Sequence, residues 1–398
     1  MIFQENVMKL KKVILILICC MFTTGCWDKV EIDRRIFVST IGIDAGQEIS
    51  KEKELKKLNP NEAFSDNNVK RLNITYGFPD ISQLGPQKEG VAEQKSINVD
   101  AYSMEDAFTK ATAKSSRNIS FGHSKLLIMG NNFFGYPEAV KEVLDYLQRQ
   151  PSLNRNTLVV MAEGKVEDYI KYKPNLEKNT QEYIQGLIEN SNRNSSVIPT
   201  DLNQFLMNLD ENGNSIIPSL TIDKEKNEIK LAGTCLIKNY VFKGILSPTE
   251  TADIKILRGK FKGGKKVIYE GGHPIDFEID DMERKITMDS KDNKLTFNIN
   301  IELEGQIKEY YLGKELLSPQ TISKIEDGFN KALKDEMEKV IKVTQNKYSM
   351  DLIGFREHVE KYEPKTWNKV KKDWDEIYKN AVINVNVNTH VRRIGAIK

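Results

Sequence analysis

This sequence lacks nearly every feature that would announce a chemistry. It has four histidines, His123, His273, His358 and His390, scattered with no second histidine at i+4. A metal centre needs clustered ligands, so none is expected. There is no paired-cysteine motif and no G-x-S-x-G nucleophile elbow. Charge of one sign is missing too. The formal net charge is +2, and Lys9, Lys11 and Lys12 against Glu5 account for it. A nucleic-acid binder would carry a basic excess, so no nucleic-acid partner is expected. No apolar run reaches the roughly 20 residues that a membrane-spanning helix needs. What remains is an ordinary globular composition, 29% charged and 39% hydrophobic. With 398 residues the chain is long enough for two or three domains.

The start of the chain is more specific. Lys9, Lys11 and Lys12 precede an apolar stretch over residues 13–22, and Thr23, Thr24, Gly25 and Cys26 follow. A basic start, a short apolar segment and small residues before a cut are the parts of an export signal. Cys26 directly after Gly25 resembles a bacterial lipobox, although Thr23 stands where an aliphatic residue is usual. The resemblance implies that residues 1–25 are a cleaved lipoprotein signal peptide. It also implies that Cys26 is the lipid-attachment residue, carrying S-diacylglycerol and N-acyl groups. Cys19 and Cys20 would leave with the signal, and Cys235 would then have no partner. The fold is therefore expected to be held by packing, without a disulfide framework.

Two grammars follow each other along the chain. The first half alternates strand and helix signals. Residues 36–43 read as a strand, and Leu72, Ile74, Tyr76 and Phe78 recur at period two. Ser103, three residues before Asp106, signals a helix start. Pro137 opens a helix with Val140, Val143, Leu144 and Leu147 on one face. A polar tract over residues 47–70 reads as an insertion or a long hairpin tip. In the second half Ile229, Leu231, Cys235 and Ile237 alternate with polar or small neighbours. Leu295, Phe297, Ile299, Ile301 and Leu303 do the same, which predicts a sheet with one wet face. Ile322, Ile325, Phe329, Leu333, Met337 and Val340 predict a long amphipathic helix after Pro319. Trp367, Val370, Trp374 and Ile377 predict a second one. The expected fold class is mixed α/β and α+β, in several domains. An N-terminal alternating α/β region spans 26–209, and a linker spans 210–226. A C-terminal α+β domain spans 227–398, its antiparallel sheet covered by long helices on one face.

Candidate chemistry weakens on inspection. Residues 259–266 read GKFKGGKK. This fits the phosphate-cradling pattern G-x-x-x-x-G-K-[ST] except that Lys266 replaces the hydroxyl. Gly122, His123 and Ser124 invite a nucleophile reading but specify no third partner. Acid pairs such as Asp280 with Asp281, or Asp373 with Asp375, read as solvated faces in a chain this charged. Trp367 and Trp374 at helical spacing read as core anchors. No catalytic, cofactor-binding or metal-ligating residue is expected, and no cofactor.

A wider pattern then emerges. Gly25-Cys26-Trp27-Asp28, Glu31-Ile32 and Ile41-Gly42-Ile43-Asp44 come first. Gly122-His123-Ser124-Lys125, Met129-Gly130, Arg149 and Arg155-Asn156-Thr157 follow. Ala232-Gly233-Thr234, Asp351-Leu352-Ile353-Gly354-Phe355, Trp367, Trp374 and Arg392-Arg393-Ile394-Gly395 complete the order. In that order the sequence resembles the Ger(x)C family, the lipoprotein C subunits of spore germinant receptors. The resemblance runs from Cys26 to Gly395. It implies a non-enzymatic subunit acting with integral membrane A and B subunits in triggering germination. The subunit would be lipid-anchored on the outer face of the spore inner membrane. Whether it touches the nutrient is left open. The rival readings are a solute-binding lipoprotein and an envelope hydrolase.

Overall fold

The computed structural model describes residues 34–394, except 56, 58–68, 82–83, 86–87, 90–91, 176, 292–293 and 311–317. Cys26, the expected signal at 1–25, Gly395 and much of the polar tract at 47–70 lie outside the described residues. The described start of that tract holds a 3-10 turn, Ile49–Lys51, and a short helix, Glu52–Leu55.

The first strands in chain order are β1 (Arg35–Phe37), β2 (Thr40–Ala45), β3 (Leu72–Pro79), β4 (Leu84–Gly85), β5 (Lys88–Glu89) and β6 (Gln94–Ala101). Then come β7 (Asn118–Ser120), β8 (Leu126–Gly130), β9 (Leu158–Ala162), β10 (Asn214–Asp223), β11 (Glu228–Lys238) and β12 (Val241–Leu246). Eight of them form one sheet in the order β12-β11-β10-β9-β8-β2-β3-β6. The middle four, β10, β9, β8 and β2, run parallel, and antiparallel strands flank them on both sides. Parallel neighbours need crossovers, which is why strand and helix signals alternate in this half. Helices Met104–Ala113, Pro137–Arg149 and Leu202–Asn212 contribute to the apolar core on one face. Helices Val166–Ile170 and Thr180–Asn190 contribute to a separate core. The Ser103 hydroxyl accepts from the Asp106 N–H, as its sequence position predicts.

A four-stranded sheet follows, built from β13 (Gly264–Glu270), β14 (His273–Lys291), β15 (Lys294–Glu309) and β16 (Val382–Ile394), in that order. The first three are antiparallel, while β16 runs parallel to β15. The helix Pro319–Lys342 lays Ile325, Phe329, Leu333, Met337 and Val340 into the core on one face of this sheet. Phe277 meets Phe329 at 5.2 Å, and Phe297 stacks on Phe355 at 4.1 Å.

Three expectations need correction. Residues 210–226 are not a linker. They hold the end of the helix Leu202–Asn212 and the whole of β10, which pairs with β9 and β11. Ile216, Ile217 and Leu220 on β10 are buried, so the segment is tied down by packing on both faces. The alternating run from Ile229 to Ile237 likewise belongs to the eight-stranded sheet, not to the C-terminal one, with Cys235 and Ile237 in its core. The expected second helix is broken into Pro364–Val370, a 3-10 turn Lys371–Asp373 and Trp374–Asn380. The break lets Trp367 and Trp374 meet edge to face at 5.5 Å.

Candidate functional site

The residues singled out for chemistry are absorbed by the fold. The Ser124 hydroxyl is fully buried and donates to the Val38 carbonyl at 3.2 Å, so it is no poised nucleophile. His123 packs against Phe37 instead, with ring centroids 4.7 Å apart. Residues 259–266 lead into strand β13, not a helix, and the Lys266 ammonium is already engaged. It lies 2.5 Å from Asp253 Oδ1 and 2.7 Å from Glu336 Oε2. No phosphate cradle can use it. Trp367 and Trp374 are buried at 9% and 7% exposure, in the core and not on a ligand face. His390 and Glu302 stand 3.1 Å apart on the sheet surface, and His358 packs against Tyr362 at 4.8 Å. Asp281 bonds the neighbouring Met282 N–H, and Asp375 pairs with Lys238 at 2.6 Å. Among the described residues no three His, Cys, Asp or Glu side chains cluster in a way that could hold a metal ion.

The short motifs explain themselves as joints. Asp44, at the end of β2, accepts from the Val166 N–H at 2.8 Å and so satisfies the start of the helix Val166–Ile170. Burial pushes its carboxyl up to about 6, against the pull of that N–H. A Cβ on Gly42 would stand 2.6 Å from Val166 Cγ1, and one on Gly130 would stand 2.0 Å from Asp44 Oδ1. The helix sits on the sheet only because both positions carry no side chain. Asp351 closes the turn before the helix Phe355–Tyr362. Its carboxylate accepts from the Ile353, Gly354 and Arg356 N–H groups at 3.1, 2.9 and 2.6 Å. Thr234 Oγ1 accepts from the Ile198 N–H and the Thr251 hydroxyl at 3.3 and 3.2 Å. It thereby ties β11 to the helix Pro248–Leu257.

That helix was not legible in the sequence, and it carries a buried charge group. Thr251 to Leu257 are all buried, Asp253 and Lys255 included. Burial raises Asp253 to about 6 even beside Lys266, while Asp253 and Glu336 outweigh burial and hold Lys266 charged. Lys255 has only the Val197 carbonyl at 3.5 Å, and burial pushes it down to about 8. Asp253 and Lys266 are buried, and Glu336 on the helix Pro319–Lys342 reaches Lys266 from a position 39% exposed.

The face of the four-stranded sheet away from the helix Pro319–Lys342 carries polar side chains. Asn384 donates to Asn298 and Asn388 to Glu302, each at 2.8 Å, across β15 and β16. Arg392 pairs with Glu304, and Lys308 with Glu278 at 2.8 Å. The face is polar and carries charges of both signs. Such a face can form hydrogen bonds with another protein.

The comparisons with known proteins fit this picture. Residues 28–222 match the spore germination protein N-terminal domain. Residues 232–395 match the C-terminal domain described as spore germination B3/GerAC-like. The chain belongs to the GerAC/GerBC-like C-subunit family of spore germination proteins. Among its relatives, spore germination protein YndF of Bacillus subtilis is 27% identical over 97% of this chain and 96% of its own. Spore germination protein B3 of the same organism is 24% identical over 94% of this chain and 95% of its own. The crystal structure of the GerBC protein covers 82% of this chain and 94% of its own, with a TM-score of 0.57 at 21% identity. That likeness supports the mixed α/β fold. A role in spore germination follows from membership of the family. Among the described residues no helix is long and apolar enough to cross a membrane.

Proposed function

We propose that this chain is the lipid-anchored C subunit of a nutrient germinant receptor. It is tethered through acylated Cys26 to the outer face of the spore inner membrane and acts without catalysis beside integral membrane A and B subunits. The observation that carries the reading is the full-length likeness to spore germination proteins, together with Cys26 directly after Gly25 and a short apolar segment.

The physics of the tether follows from the chemistry of one sulfur. Each buried methylene contributes about 0.8 kcal/mol, and stable anchoring takes two chains. A diacylglycerol on Cys26 supplies both at one point. A body held at the bilayer meets its partners at high effective concentration, so each protein contact can be weak. Polar surfaces such as the open sheet face then suffice for assembly.

The Cys26→Ala protein is expected to be exported, to fold, and to leave the membrane fraction, with germination impaired. If it stays on the membrane and germination matches the unsubstituted protein, the tether has no such role. Mass spectrometry of the native amino terminus supplies the direct check.

A further inference from the structure

Arg34 is the first described residue, and β1 follows it at once. Cys26 stands eight residues earlier in the sequence. Eight residues at full extension span at most about 29 Å. With Cys26 in the bilayer, as proposed above, the β1 end of the body is held within that distance of the lipid headgroups. The length of the tether thus selects which side of the protein can lie on the membrane.

That side is basic. Strands β1 and β7 run parallel with Arg35 opposite Asn118, which puts Arg34 and Arg117 level, one step before the pairing. Ile36 turns into the core, so Arg35 faces the other way. Lys125 joins them at the start of β8, where its N–H donates to the Ser39 carbonyl at 2.9 Å just ahead of β2. Arg155 follows along the same edge, before β9, where the Thr157 hydroxyl donates to the Ser124 carbonyl at 2.9 Å. Among the described residues Arg34, Arg35, Lys125 and Arg155 take part in no ion pair. The nearby carboxylates are few. Asp80, just past β3, is taken by Lys95 and lies 4.0 Å from Arg117, Asp145 is tied to Arg149 at 2.9 Å, and Glu93 is exposed.

The opposite edge, where β2, β8 and β9 end, has the other balance. There Lys51 and Lys171 are tied to Glu48 and Glu167 at 2.8 and 2.6 Å, which leaves Asp44, Glu163 and Asp168 against Lys165. The chain therefore enters the body at the edge whose cations are unpaired.

We propose that this edge rests on the membrane, with Arg34, Arg35, Lys125 and Arg155 set against the phosphates of anionic phospholipid. Such a surface attracts cations within a Debye length, about 8–10 Å at ordinary salt. Asp28, Glu31 and Asp33 outnumber Lys29 in the tether, so the attraction comes from the folded edge. The contact fixes the tilt of the body, which one point of attachment leaves open. It thereby decides which faces are turned to proteins embedded in the bilayer. The inference rests on the anchor proposed above and adds the class of lipid and the surface that meets it.

The test leaves the anchor out. Residues 26–398 with Cys26→Ala contain every described element, and they are sedimented with vesicles. At low salt they should bind vesicles of equal phosphatidylglycerol and phosphatidylcholine, and bind phosphatidylcholine alone at least tenfold more weakly. Binding should vanish at about 1 M salt, where the Debye length is about 3 Å. Each cation at an anionic surface contributes about fivefold, so Arg34→Gln, Arg35→Gln and Lys125→Gln together should weaken binding at least tenfold. Lys331→Gln, Lys339→Gln and Lys342→Gln together remove the same charge from the exposed side of the helix Pro319–Lys342 and should leave binding unchanged. Equal losses from the two triple variants, no binding, equal binding to both vesicles, or binding that ignores salt overturns the proposal. So does complete displacement by inorganic phosphate at matched ionic strength. Mass spectrometry of the native amino terminus reads the anchor separately, so a missing anchor and a non-binding edge are told apart.

Discussion

The Asp44 carboxylate and the Val166 N–H, 122 residues apart in the chain, meet at 2.8 Å and join the central strand β2 to a helix on the sheet. The joint has a pH signature. In the folded chain the Asp44 carboxyl sits at about 6, above its ordinary 3.8. The fold therefore binds this proton more tightly than the unfolded chain does. Its contribution to stability is complete below about pH 4 and is lost as pH rises through about 6. Asp44→Asn keeps an acceptor for Val166 but has no charge to bury. The variant should gain on the unsubstituted protein by roughly 2–3 kcal/mol between pH 4 and pH 7. Urea unfolding at several pH values measures this. A difference that does not change with pH would refute the burial argument.

The Lys266 and Asp253 pair makes a second prediction. Their side chains are 9% and 4% exposed and 2.5 Å apart. Removing one partner leaves a buried charge alone, which costs about 3–5 kcal/mol, whereas replacing both by apolar groups is often neutral. Lys266→Met should therefore be strongly destabilising, and the double variant Lys266→Met with Asp253→Leu should recover most of the loss. Glu336 also bonds Lys266, but it is 39% exposed and can turn to water once the lysine is gone. A double variant no more stable than Lys266→Met would show that the ion pair itself is indispensable.

How much of this could be read beforehand depends on what a pattern can encode. Period two in Leu295 to Leu303 and steps of three and four from Ile325 to Val340 each report one buried face, and β15 and the helix Pro319–Lys342 follow. Alternation does not say which sheet a strand joins. The run Ile229 to Ile237 alternates like the strands of the C-terminal sheet and yet pairs with β10 and β12 in the eight-stranded one. The helix Pro248–Leu257 carries no stripe, because Thr251 to Leu257 are buried all round, and Asp253 and Lys255 look like surface residues in the sequence. The basic edge was invisible for a related reason. Arg34, Arg117 and Lys125 are brought together by the pairing of β1 with β7 and of β2 with β8, which is a property of register, not of composition.

The last prediction concerns backbone space at Gly233. This residue has φ +116°, and a Cβ placed on it would stand 1.9 Å from the Leu246 carbonyl oxygen. The obstacle is the backbone of the paired strand β12, which cannot turn aside as a side chain can. Gly233→Ala must therefore both strain its own dihedrals and push β12 away, at the point where Thr234 ties β11 to the next helix. The expected cost is at least about 3 kcal/mol, enough to lower the yield of folded protein. Gly272 is the control. Its φ is +86°, but nothing stands within 4 Å of a Cβ there. Gly272→Ala should cost only about 1 kcal/mol, from the dihedral strain alone. Urea midpoints of the two variants compare them directly, and equal losses would mean that the close approach of β12 does not determine the choice of glycine at 233.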